Sequence, residues 1–132
     1  MRARRILNTR KNEKGQGLVE FALVVPLLLI LVLGIEEFGR AWMTKNIMTG
    51  AAREAVRVAV VGGVGVARGD NVLASANIPP STVVTPITEP DGHVTIMVTV
   101  TYDFPVLFAG FIPGLDNATI PLSSTTTMRR EF

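Results

Sequence analysis

The side chains able to do chemistry in this chain are few. His93 is the only histidine, and it closes the run Glu89-Pro90-Asp91-Gly92-His93. Together with Glu89 and Asp91 it offers three oxygen or nitrogen donors on one turn, a set that specifies no metal geometry; the run reads as an exposed polar turn. Ser123 and Ser124 have no basic partner besides that distant histidine, so no nucleophile–base pair is expected. The glycine-rich stretch Gly62 to Gly69 follows a helical pattern rather than a strand and lacks the lysine of a phosphate loop, so it reads as a hinge. Arg68-Gly69-Asp70 spells an adhesion tripeptide and Asn117-Ala118-Thr119 a glycosylation sequon, both short enough to arise by chance. With no cysteine, a disulfide scaffold, a thiolate metal site and a lipid-modified cysteine are excluded. No catalytic constellation, metal site or cofactor is expected, and the chain does not read as an enzyme. One ionisable residue stands out by its place: Glu20 is the one charge in the apolar run from Leu18 to Ile35.

That run is about long enough to cross a hydrocarbon core at 1.5 Å per residue. It is preceded by Arg2, Arg4, Arg5, Arg10, Lys11 and Lys14, six of the 13 basic residues of the chain, against Glu13 alone. The formal net charge is only +2, so the excess is local. A basic tail directly before an apolar run reads as the cytoplasmic flank of a membrane helix rather than as a nucleic-acid contact, which places the N-terminus inside and everything after Glu36 outside a cytoplasmic membrane. A cleaved signal peptide would end in small residues; Ile35-Glu36-Glu37-Phe38 is a poor cleavage site, so the helix is expected to be retained. Pro26, tolerated in membrane helices, predicts a kink. Glu20 costs about 2.5–3.5 kcal/mol at the centre of a bilayer and less near an interface; taken alone, it snorkels to the headgroups.

Beyond the run, Phe38, Trp42, Ile47, Ala51, Ala52, Ala55, Val56, Ala59 and Val60 recur at helical spacing, with Arg40, Lys45, Arg53, Glu54 and Arg57 on the wetter side and Trp42 near the outer interface. Gly62, Gly63 and Gly65 stop the helix, which from Leu18 to Val61 would measure about 66 Å. A short helix from Asp70 to Asn77, capped by Asp70 or Asn71 and ended by Pro79 and Pro80, is expected next. Thr82 to Thr88 and His93 to Tyr102 read as a hairpin about the Glu89–Gly92 turn; in the second strand Val94, Ile96, Val98, Val100 and Tyr102 alternate with polar positions, so one face packs on the helix. Phe104, Phe108, Phe111 and Ile112 form an apolar loop, and Ala118 to Arg130 a last strand. The length allows one membrane segment and one small domain. The expected fold is α+β, a long N-terminal helix on an antiparallel sheet of three to four strands. It divides into a basic leader (1–15), a membrane helix (16–35), its amphipathic continuation (36–61) and a strand-rich outer domain (62–132).

The junction Gly15-Gln16-Gly17-Leu18-Val19-Glu20-Phe21 resembles the processing site of type IV prepilins, where a membrane aspartic peptidase cuts after a glycine and leaves a glutamate at the fifth mature position. Cutting after Gly15 makes Gln16 the first mature residue and Glu20 the fifth. The resemblance implies that the Glu20 carboxylate pairs with the new amine of a neighbouring subunit, an arrangement that is better evidence for register than for stability. GQGLVEFALVVPLLLILVLGIEEFGRAW followed by AAREAVR is similar to the TadE-like family of minor pilins or pseudopilins of tight-adherence (Flp) pilus systems, at Gly15, Glu20, Phe21, Pro26, Phe38, Gly39, Arg40, Ala52, Arg53, Glu54 and Arg57. Where the family often has a glycine-alanine pair this chain has Ala55-Val56, which weakens the expectation of close helix packing there. The family's implied partners are other pilin-like subunits through the N-terminal helix, a prepilin peptidase, a pilus assembly platform and the lipid bilayer, with no nucleic acid. The rival reading is an uncut single-pass module whose loop Phe104 to Ile112 contacts an envelope partner or ligand.

Overall fold

The structure, a computed structural model, describes residues 13–111, 114 and 117–130. It divides after Glu36 into two compact units, residues 1–36 and 37–132. One helix, α1 (Glu13–Val60), contributes to both, with Pro26 inside it. In the first unit the side chains from Gly15 to Glu36 are exposed, apart from the half-buried Val25 and Leu33. It is an apolar helix of membrane-spanning length, and none of its most apolar stretch is buried among the described residues.

In the second unit, α1 ends where glycine allows it. Gly63 N–H donates to Val58 O at 2.9 Å and Gly62 N–H to Ala59 O at 3.1 Å, with Gly62 at φ 81°, the paired bonds of a left-handed helix terminus. Helix α2 follows at Gly65–Ser75, so the hinge expected at Gly62 to Gly69 is a tight terminus followed by the first turns of a helix. A Cβ at Gly65 would lie 2.6 Å from Ala55 O and 2.8 Å from Ala59 Cβ, and one at Gly69 2.6 Å from Thr82 Oγ1. The glycines are there because α2 lies directly on α1. The close packing that Ala55-Val56 made doubtful is therefore supplied from the facing helix. The expected Asp70 cap is also corrected: the N-cap is Val64, with no side-chain bond, and Asp70 Oδ1 instead accepts Thr82 N–H at 3.1 Å, fastening the next strand. Nor do the prolines end α2. Asn77, at φ 55°, and Ile78 donate to Ala74 O and Leu73 O, and buried Ile78 joins buried Leu73 in the core, as such termini favour.

Strands β1 (Thr82–Thr88), β2 (Val94–Pro105) and β3 (Thr119–Arg130) form an antiparallel sheet in the order β1-β2-β3, which bears out the α+β expectation with three strands. The register sets Val84 and Thr126 beside Val98, and Thr82 and Ser124 beside Val100. Ile96, Val98 and Val100 are buried with Met48, Ala51, Ala52, Ala55 and Val56 of α1 and Leu73 of α2. Small alanines on α1 let the sheet approach closely, and β-branched residues on β2 fill the gap. On the opposite face, Thr99 and Thr125 share a hydroxyl bond at 3.2 Å.

Two sequence expectations shift here. β2 runs on to Pro105, so Phe104 is a buried strand residue facing the core rather than part of an apolar loop. Phe38 and Trp42 stack on one another, with centroids 6.1 Å apart, and are 69% and 61% exposed. They therefore stand off the face of α1 that meets the sheet.

Candidate functional site

Gly15, Gln16, Glu20 and Phe21 all lie in α1 and are exposed. Gln16 and Glu20 are one helical turn apart, and the Gln16 Nε2 amide donates to Glu20 Oε1 at 3.3 Å. The side-chain amide thus engages one oxygen of the carboxylate locally in the intact chain. Of the proposed orienting residues, Arg2, Arg4, Arg5, Arg10 and Lys11 lie outside the described residues, as does the side chain of Lys14. Ile112, from the expected apolar loop, also lies outside them.

A second cluster, at the start of the second unit, was not anticipated from sequence. Glu37 is almost fully buried. Its Oε2 accepts from Arg40 Nη1 at 2.8 Å, and its Oε1 accepts the backbone N–H of Leu107 at 2.9 Å. The Arg40 guanidinium lies over the Phe104 ring, 4.9 Å from its centroid. Arg40, expected on the wetter side, is thus half-buried between a carboxylate and an aromatic face, a stacked geometry suited to arginine. Together these contacts fasten the end of β2 and the 3-10 helix Leu107–Phe111 to the helix. The sequence signal was a glutamate three residues before an arginine on one helix, visible but indistinguishable from a surface pair. Replacing Glu37 with alanine leaves the Leu107 amide and the Arg40 guanidinium short of a partner. The expected cost is about 1–3 kcal/mol, read as faster hydrogen exchange at Leu107 and a lower midpoint of unfolding. Glu37→Gln, which keeps one acceptor oxygen, is expected to recover part of it, and equal exchange in all three proteins would contradict the assignment.

The other singled-out residues are placed as follows. Ala52 is buried in the core, and Glu54 meets Arg68 at 3.4 Å in a half-exposed pair, worth little at a surface. Arg53 and Arg57 are exposed, with no ion-pair partner among the described residues. The Arg68-Gly69-Asp70 tripeptide lies within α2, with Gly69 buried. Asp91 accepts His93 N–H at 3.1 Å and pairs with Arg129 at 2.9 Å, so its carboxylate closes the hairpin turn. Ser124 bonds the Thr49 hydroxyl at 3.1 Å, tying β3 to α1.

An exposed apolar helix of spanning length, continuing into one small α+β unit, defines a class: its single N-terminal apolar helix suggests a single-pass membrane protein. Within that class the segment 15–57, about a third of the chain, matches the family model described as TadE-like protein, so this stretch is TadE-like, as its residues indicated. The TadE-like segment suggests a protein associated with a tight-adherence pilus system. No curated protein and no solved structure matches the chain.

Proposed function

We propose that this chain is a minor pilin or pseudopilin-like subunit of a tight-adherence pilus assembly system. It enters the cytoplasmic membrane with residues 1–15 inside and the second unit outside, is cut after Gly15 by a prepilin peptidase, and assembles through α1 with other pilin-like subunits on a membrane platform. It is a substrate and a building block rather than a catalyst. The observation that carries the reading is the coincidence of the TadE-like match over 15–57 with Glu20 five residues after Gly15, in a helix otherwise apolar to Ile35.

Exposure supports it physically. A carboxylate on the bare surface of an apolar helix is costly in lipid, and the amine created on Gln16 of an adjacent subunit is a partner of opposite charge near the same end of the helix. The bare apolar surface of residues 18–35 then has two covers, lipid before assembly and neighbouring helices after it. The test is where the mature chain begins: at Gln16 in the presence of the peptidase, and at Met1 without it.

A further inference from the structure

The unit from Glu37 onward carries an aromatic ridge and an open groove on opposite sides of the same stretch of α1. The ridge is Phe38 stacked on Trp42, with ring centroids 6.1 Å apart and the two residues 69% and 61% exposed. The groove has a volume of about 310 Å³ and is walled by Arg40, Met43, Thr44 and Ile47, with Ile78 and Phe104 lining it from the other elements. At 3.6 residues per turn, the mean direction of Phe38 and Trp42 lies about 170° around the helix from that of the four helical groove residues. A chain therefore cannot seat its ridge in its own groove. A second copy can, standing beside the first with its helix parallel and shifted along the axis by roughly 3.5 residues, about 5 Å.

The groove suits an indole in size and in kind. A cavity of roughly 150 Å³ accepts a benzene ring, so one of about 310 Å³ admits a two-ring side chain. Met43 brings a flexible thioether, which makes favourable contacts with aromatic rings, and buried Ile78 and Phe104 give an apolar floor held by the fold. The Arg40 guanidinium lies 4.9 Å from the Phe104 centroid. Tryptophan is the ring that such a cation favours most, so the charge on the groove wall complements the negative face of the indole. Asn77 and Tyr102 also line the groove and offer acceptor oxygens to the indole N–H, which takes a partner when buried.

We infer that the groove receives the Trp42 ring of a second copy of this chain, with Phe38 packed beside it. The contact is heterologous: each copy gives a ridge on one side and receives one on the other. It does not close at two copies and extends along a row of parallel chains. This adds to the proposed assembly a contact outside the apolar run of α1. Its test does not involve cutting after Gly15, so either idea can fail alone.

Trp42 is the single tryptophan of the chain, so its emission reports the contact directly. The full chain is studied in mild detergent over a range of concentrations, with particle mass from light scattering and Trp42 emission read together. Two variants each break one half of the contact: Phe38→Ala combined with Trp42→Ala removes the ridge, and Thr44→Phe fills the groove from its wall. Circular dichroism checks the fold of each. Met43→Glu, at an exposed position, blocks the groove with a charge and serves in place of Thr44→Phe if that variant does not fold. The expected result is that the parent chain grows past the dimer with concentration while its emission moves to shorter wavelength, and that neither variant does so alone. Mixed, the two variants form a one-to-one pair that grows no further, and the emission of the groove-blocked chain shifts as the ridgeless chain is added. An unshifted emission in that mixture would overturn the proposal, and so would a parent chain that stays single at every concentration. A groove-blocked chain that associates and shifts like the parent would overturn it in favour of ring-on-ring contact between ridges. Emission at short wavelength in dilute micelles, unchanged by concentration, would assign the ridge to lipid and overturn it as well.

Discussion

Replacing Leu73 with alanine is expected to lower the stability of the unit from Glu37 onward by about 3 kcal/mol, within the 2–5 kcal/mol typical of such truncations. Leu73 is 0% exposed, and the other buried residues of α2 are Gly65 and Gly69. Leu73 is therefore the one large side chain of the helix that is fully buried, beside half-buried Val72 and two glycines that let the helix close on α1. The glycines allow contact but fill little volume, so removing Leu73 opens a cavity in the buried cluster it shares with Met48, Val56 and Ile78. Ile78, joined to Leu73 across the helix terminus, loses its packing partner as well. A domain of this size has roughly 5–15 kcal/mol in total, and each kcal/mol moves its midpoint by about 4–8 °C. Thermal unfolding in detergent, followed by near-ultraviolet circular dichroism, should show a midpoint lower by about 12–24 °C. An unchanged midpoint would mean that α2 contributes little to the fold.

The second large effect falls on assembly rather than folding. Glu20→Ala removes the only charge from the apolar run, so membrane insertion is expected to be unchanged or improved. In the assembled state the variant leaves the amine of a neighbouring Gln16 without its counter-charge. Removing one partner of a buried ion pair costs about 3–5 kcal/mol, a factor of roughly two to four powers of ten at 1.4 kcal/mol each. Co-isolation of the variant with other pilin-like subunits should fall accordingly while its amount in the membrane stays constant. Glu20→Gln separates charge from shape: it keeps an acceptor oxygen, and under this account it fails nearly as badly. Assembly of Glu20→Ala at the level of the parent chain would contradict the proposed role of the carboxylate.

Much of the architecture was legible in the sequence because its signals were local and repetitive. The apolar run gave the helix, the alternation from Val94 to Tyr102 gave β2 and its buried face, and Thr82 to Thr88 matched β1 residue for residue. Signals that depend on what lies across a gap were not legible. Gly65 and Gly69 look like helix breakers until the surface of Ala55 is set against them, so α2 was expected to begin five residues late. Asp70 has the chemistry of a helix cap, and only the fold shows that its carboxylate reaches Thr82 instead. Phe38 and Trp42 continue the helical period, yet both are largely exposed where they stand. Glu37 passed for one of two acids after an apolar run, because its partner Leu107 is seventy residues away in the chain. The pairing of Gly15 with Glu20 was legible in a different way, through resemblance to prepilins, since no periodicity or composition marks a peptidase site.

The measurement closest to the central claim is the N-terminal sequence of the mature chain, extracted from membranes of cells with and without a prepilin peptidase. The account predicts a chain beginning at Gln16 when the peptidase is present and at Met1 when it is absent. A chain that begins at Met1 in both cases, beside a control prepilin that is cut, would contradict it and leave Glu20 as an interfacial residue of an uncut membrane protein.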